Sequence, residues 1–226
     1  MLSTFFGLTI AQSGLNSFHV ALNTTANNIS NVRTPGYCKQ QANRVASSAL
    51  RTYTSYGAVG TGVKTESVTQ LRNLYYDHRY WENQTSLGLY ESRLNYFHQI
   101  ENYFIDTGEE GFSTIMDKMF ANLDTLKTNA GDVNTRQQFT SSAHDFAVYF
   151  NSVAQGLSDI QGNVNEEIKS TVDNINAIAQ KISLLNKQIN VIEVQGGYAN
   201  ELRDQRALLV DELSKIVPVE ATEAPV

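Results

Sequence analysis

Two adjacent acid–imidazole pairs, Asp77-His78 and His144-Asp145, are the first places where this chain could do acid–base chemistry. Neighbours on a helix point roughly 100° apart, so neither pair makes a working dyad by itself. His19 and His98 stand singly on helical stretches, where packing or a solvated surface is the plainer reading. The carboxylates Asp106, Glu109 and Glu110 could hold a hard cation or supply paired acids for hydrolysis. Their neighbours Thr107, Gly108 and Gly111 read better as a loop between helices, and acids also suit the start of the helix that follows. Cys38 has only Lys39 beside it to lower its pKa, and as the single cysteine it cannot form an internal disulfide. Gly57, Gly60 and Gly62 do not match a dinucleotide-binding glycine pattern, and no HExxH, CxxC or Walker loop is present. These residues point away from an enzyme and from a bound cofactor or metal.

The charge pattern excludes further classes. The net charge is −6, which is the wrong sign for phosphate recognition. The first acidic residue is Glu66, preceded only by Arg33, Lys39, Arg44, Arg51 and Lys64. A basic front segment could be a nucleic-acid arm, but residues 1–32 carry no Lys, Arg, Asp or Glu at all. They also lack the charged start of a secretory leader, and no apolar run is long enough to span a membrane.

The elements that would position any site are mostly helices. Leu8, Ala11, Leu15, Phe18, Leu22, Thr25, Ile29 and Val32 recur at alternating steps of three and four, a narrow coiled-coil seam. The remaining face, with Gln12, Ser13, Asn16, Ser17, Asn23, Thr24 and Asn27, is polar but uncharged. A solvated helix usually carries Lys and Glu there, so an assembly interface is favoured over a helix lying on its own domain. Gly7 and Gly14 each cost about 1 kcal/mol of helix propensity, so this helix is expected to need partners to order.

From Tyr37 to about Thr69 the helical period fails, and glycines with short strand-like runs suggest an extended segment with a possible hairpin. An aromatic-rich helix is expected from about Leu71 to Ile105, and a shorter one carries Ile115, Met119, Leu123 and Leu126. A long helix follows, in which Ala143, Phe150, Leu157, Val164, Thr171, Ile178, Leu185 and Ile192 keep a seven-residue period. Their companions drift from Phe146, Val153 and Ile160 to Ile168, Ile175, Ile182 and Ile189, the mark of a stutter. A last helix carries Leu202, Leu209, Leu213 and Ile216 and stops at Pro218. The expected fold is mainly α: an elongated bundle of long antiparallel helices with coiled-coil packing, plus a small β segment after the first helix. The expected divisions are residues 1–35 (heptad helix), 36–69 (extended linker), 70–217 (helix bundle) and 218–226 (start of a further domain).

The stretch "ALNTTANNISNVRTPGY", with Ala26, Asn27, Asn28, Ile29, Asn31, Thr34, Pro35, Gly36 and Tyr37, resembles the N-terminal signature of the bacterial flagellar axial proteins of rod, hook and hook-associated type. Ser30 stands where alanine is commoner in that signature. The segments "GTGVKTESVTQLRNLYYDHRYW", "GFSTIMDKMFANLDTLKTNAGDVNTRQQF" with Arg136, and "ANELRDQRALLVDELSKIVPVE" are similar to the hook-associated branch that begins the hook–filament junction. The resemblance implies a structural, self-assembling adaptor between hook and filament, extracellular and exported by the flagellar type III apparatus without a cleaved leader. It implies as partners a ring of like subunits, the hook protein, a second junction protein and an export chaperone, with no nucleic acid, membrane or cofactor. Such proteins continue past the position of Val226 and avoid cysteine, so a piece of a longer chain is expected and Cys38 is an exception. The alternatives are a rod or hook protein of the same family, or a peptidoglycan hydrolase accessory domain using Glu109 or Glu110.

Overall fold

A computed structural model of the chain describes residues 4–51, 57–104 and 111–223. Among them are helices α1 (Phe6–Ser30), α2 (Leu74–Tyr103), α3 (Phe112–Thr128), α4 (Val133–Glu193) and α5 (Asn200–Ser214). Four strands, β1 (Gln40–Ala46), β2 (Leu50–Arg51), β3 (Ala58–Val59) and β4 (Val63–Gln70), lie between α1 and α2. The chain is thus mainly α, with a small antiparallel segment after the first helix. The acidic cluster Asp106, Glu109 and Glu110 lies outside the described residues. By internal contacts the chain divides into one compact unit of Met1–Thr85 with Ile175–Val226 and a second of Ser86–Asn174.

In the first unit β1 and β4 pair antiparallel, from Gln40 opposite Gln70 to Ala46 opposite Val63, with a bulge between Asn43 and Arg44. Asn43 sits at that bulge and donates to Ser67 Oγ and Thr69 Oγ1, each at 2.9 Å. A second pair, β2 with β3, matches Leu50 to Val59. Helix α1 lies against this hairpin through small hydroxyls. Ser17, only 3% exposed, hydrogen-bonds Thr65 Oγ1 at 3.1 Å, and Ser13 Oγ accepts the Val63 N–H at 3.3 Å. Gly62 makes this approach possible: its φ is +104°, and a Cβ there would lie 2.1 Å from Ser13 Oγ.

The buried apolar residues of this unit are Trp81, Ile178, Leu185, Ile189, Ala199 and Val210. Trp81 Nε1 donates to Asp211 Oδ1 at 2.7 Å, joining α2 to α5. Thr85 Oγ1 donates to the Ser214 carbonyl at 2.7 Å, one turn further along the same contact. The α4–α5 hairpin is held by Arg203, whose Nε and Nη2 grip the two oxygens of Glu193 at 2.6 and 2.7 Å.

This fork holds the Glu193 carboxyl below the usual range, chiefly through the Arg203 hydrogen bonds. Its stabilisation is therefore present above the unfolded value of about 4.3 and lost as pH falls through the lower folded value. Asp204 and Asp211 are shifted the other way, pushed up mainly by burial. Their protonated forms favour folding, so their contribution fades as pH rises from about 4 through their raised values. The gap between the denaturation midpoints of the native chain and Glu193→Gln, taken between pH 3 and 7, should hold steady above about pH 4.3 and narrow as pH falls below it. A constant gap across that range would refute the assignment.

In the second unit the rings of Phe112, Phe146, Tyr149 and Phe150 cluster with centroids 4.9 to 6.3 Å apart, packing α3 on α4. The α3–α4 turn is closed by Arg136, whose Nε donates to the Ala130 carbonyl at 2.7 Å, while Asp132 Oδ1 accepts the Asn134 N–H at 3.0 Å. Gly156 in α4 faces the Tyr103 ring so closely that a Cβ would come within 2.2 Å of it. This contact explains a buried glycine inside a long helix.

Along α4 the inward line runs through Val153, Gly156, Ile160 and Val164, then resumes at Thr171, Ile175, Ile178, Ile182, Leu185 and Ile189. Residues 165–170 are exposed on every side, and Ile168 is among them. The seven-residue row is interrupted too: Phe150 and Ile192 are exposed while Ile178 and Leu185 are buried.

Candidate assembly surface

The seam of α1 points outward. Leu8, Leu15, Phe18, Leu22, Ile29 and Val32 are 59 to 77% exposed, and Ala11 and Thr25 lie exposed among them. Phe18 is partly engaged, with the Arg44 guanidinium 5.0 Å from its ring centroid. The polar face read from the sequence as outer is split. Gln12, Asn16, Asn23 and Asn27 are exposed, whereas Ser13, Ser17 and Thr24 are half-buried or buried, the two serines against the hairpin. The helix therefore docks on its own chain through Ser13 and Ser17, with Ile10 and Val20 half-buried, and leaves the large apolar residues of its seam exposed.

The motif after the seam fixes this orientation. Asn28 Oδ1 accepts the Gln40 N–H at 2.9 Å and the Tyr37 hydroxyl at 2.8 Å, and its Nδ2 donates to the Gln40 carbonyl at 2.8 Å. One amide thus ties the end of α1 to the first residue of β1. Asn27 donates to the Tyr37 oxygen at 3.3 Å and accepts from Asn31 at 2.8 Å, and Thr34 donates to Asn31 Oδ1 at 3.1 Å. Pro35 leads into Gly36, whose φ of +77° reverses the chain and whose missing side chain leaves room for Leu208. Ala26 and Ile29 are exposed and take no part in this network.

The turn is received by α5. Asp204 Oδ1 accepts the Cys38 N–H at 3.0 Å and Gln70 Nε2 at 2.7 Å, and Asn200 donates to the Val68 carbonyl at 2.8 Å. Asp204 is 8% exposed, and its second oxygen has no hydrogen-bond partner. Burial and the Asp204 charge push the Cys38 thiol up, away from a reactive thiolate. Asn200, Gln70 and Asp204 were not singled out from the sequence; Asp204 is the aspartate of the quoted "ELRDQR" stretch.

The chemistry candidates stay apart. Asp77 pairs with Arg72 at 2.7 Å while His78 meets the Trp81 ring edge-on, His98 pairs with Glu101 on the surface, and His19 and His144 are exposed. No group of three or more metal-ligating side chains gathers among the described residues.

With this geometry in view, comparison with known proteins is decisive. The family model of the flagellar hook-associated protein FlgK helical domain matches residues 97–225. The chain belongs to the FlgK family. A second model, of flagella basal body rod proteins, matches residues 8–37, which hold the seam and the Asn28–Tyr37 network. The FlgK-family chain is 31% identical to flagellar hook-associated protein 1 of Bacillus subtilis over 98% of its own length and 45% of that protein. It is 34% identical to the Escherichia coli protein of that name and 36% to the Salmonella typhimurium one, over 94% of its length. It spans about half or less of these curated relatives, between 38 and 45% of their lengths. No solved structure matches it. No described helix of this family member is long and apolar enough to cross a membrane.

Proposed function

We propose that this chain is the assembling, helical part of a structural adaptor that joins the flagellar hook to the filament. The observation that carries the reading is the exposed seam in a hook-associated family member: Leu8, Leu15, Phe18, Leu22 and Ile29 of α1, with Val32 just after it, are each more than half exposed. A contiguous apolar stripe of this kind marks an interaction site, and a heptad stripe fits other helices. Like subunits supply such helices in a ring, and the hook protein and a second junction protein supply the axial contacts. The protein reaches the outside through the flagellar type III apparatus, with a chaperone covering apolar surface on the way. A rod or hook protein is the second reading, supported by the rod-protein match over residues 8–37.

The Leu15→Glu, Leu22→Glu double variant tests the role of the seam. Both side chains are exposed at 59 and 65%, so the isolated chain should keep its helical circular dichroism. Each charge placed in a packed seam costs several kcal/mol, so co-sedimentation with isolated hooks should fall by at least about tenfold. Undiminished sedimentation would sink the proposal, and binding along the hook length would favour the second reading.

A further inference from the structure

We propose that Arg203 and Arg206 form a carboxylate-binding site whose occupant is the chain's own Glu223, so that residues 218–223 are strapped onto the α4–α5 hairpin. The two oxygens of Glu223 are divided between the two arginines: Arg203 Nη1 donates to one and Arg206 Nη2 to the other. Both guanidinium groups are held ready from behind. Arg203 is gripped by Glu193, and Arg206 donates to Asn186 Oδ1 at 3.1 Å. The charges show what the site needs. Arg203 is balanced by Glu193, whereas Glu223 is the one carboxylate paired with Arg206 among the described residues. Without Glu223 a guanidinium would stand against a neutral amide in a half-buried setting, where an opposite charge is favoured.

The strap also closes something. Ala221, Thr222 and Glu223 form one wall of a cavity of about 460 Å³, whose other walls include Arg72, Trp81 and Tyr198. Helix α5 ends at Ser214 and Pro218 cannot continue its turns, so the chain would otherwise leave α5 with no regular structure to direct it. The clamp thus sets the direction taken after α5. A glutamine at position 223 offers one acceptor oxygen and no charge, and can satisfy only one arginine.

The test is backbone relaxation by NMR on the 226-residue chain, comparing the native protein with Glu223→Gln, Arg206→Gln and the swap of Arg206→Glu with Glu223→Arg. Order parameters for residues 219–223 should be near about 0.8 in the native chain and fall below about 0.6 in each single variant. Helix α5 should keep its order in all of them, which separates loss of the clamp from unfolding. The swap re-forms an opposite-charge pair between positions 206 and 223 but sets a second cation beside Arg203, so it should restore part of the order lost in the single variants. Residues 219–223 already flexible in the native chain, still ordered in both single variants, or no more ordered in the swap would each overturn the proposal.

Discussion

Trp81→Ala should lower the thermal midpoint by about 6 to 20 °C, the largest stability loss expected of any single substitution here. Removing a buried tryptophan costs about 3 to 5 kcal/mol through lost burial and the cavity left behind. In a chain of this size each kcal/mol moves the midpoint by about 2 to 4 °C. Trp81 is 4% exposed, and its loss also strips Asp211 of the donor that lies 2.7 Å away. Asp211 is already pushed up by burial, and the Trp81 hydrogen bond is what pulls it back down. In the variant the carboxyl should therefore rise further, making the loss larger at pH 7 than at pH 4. Trp81→Phe separates the two effects in part, because it removes the N–H while keeping a buried six-membered ring in place of the larger indole. Its cost should be about 1 to 2 kcal/mol. Circular dichroism at 222 nm is the readout, since Trp81 is the chain's single tryptophan and its fluorescence disappears with it. A loss under about 1 kcal/mol for Trp81→Ala would mean that α2 and α5 are held together elsewhere.

The long helices could be read in the sequence because their apolar residues repeat over many turns. The α4 row from Ala143 to Ile192 is enough to place a helix there, and α4 runs Val133–Glu193. The ten residues ahead of Ala143 are polar except Val133 and Phe139, so periodicity could not see them: the turn before them is fixed by Asp132 and Arg136. The docking of α1 was hidden for a related reason. Sequence patterns identify an inward face by its hydrophobicity, and here the inward face mixes Ser13, Ser17 and Asn28 with Ile10 and Val20. Its apolar seam faces out, reversing the usual rule. Helix α5 repeats this in part: Leu202, Leu209 and Leu213 are half-buried, while Asn200, Asp204 and Ser214 are buried alongside Val210. Polar contacts of that kind depend on which strand carbonyl or amide lies opposite. Nothing local to "ELRDQR" says that Cys38 and Gln70 will be there. The motif around Asn28 was legible as a motif, but the pairing of its amide with Gln40 was not.

That pairing makes a second large prediction. Asn28→Ala should cost about 3 kcal/mol, because it orphans the N–H and the carbonyl of Gln40, a residue 6% exposed. Each buried backbone group left without a partner costs about 1 to 3 kcal/mol. Asn28→Asp should fall between the two: the carboxylate still accepts from Gln40 N–H and Tyr37, but it meets the Gln40 carbonyl as a second acceptor. Tyr37→Phe removes one hydroxyl and should cost about 1 kcal/mol alone. The informative quantity is the cycle of Asn28→Ala with Tyr37→Phe, followed by urea denaturation. The residues share a 2.8 Å hydrogen bond, so the double variant should be less damaged than the sum of the singles, by about 1 kcal/mol. Strict additivity would mean that the two act separately and that the motif is not one network. The consequence for assembly follows from position. Asn28 joins the last turn of α1 to the start of β1, so its loss frees the helix to rotate against the hairpin. A rotation of one residue step, about 100°, would turn the seam out of line while leaving its composition intact. Asn28→Ala should therefore reduce co-sedimentation with hooks even though none of the exposed seam side chains has been changed, and full binding by a folded Asn28→Ala chain would separate the motif from the seam.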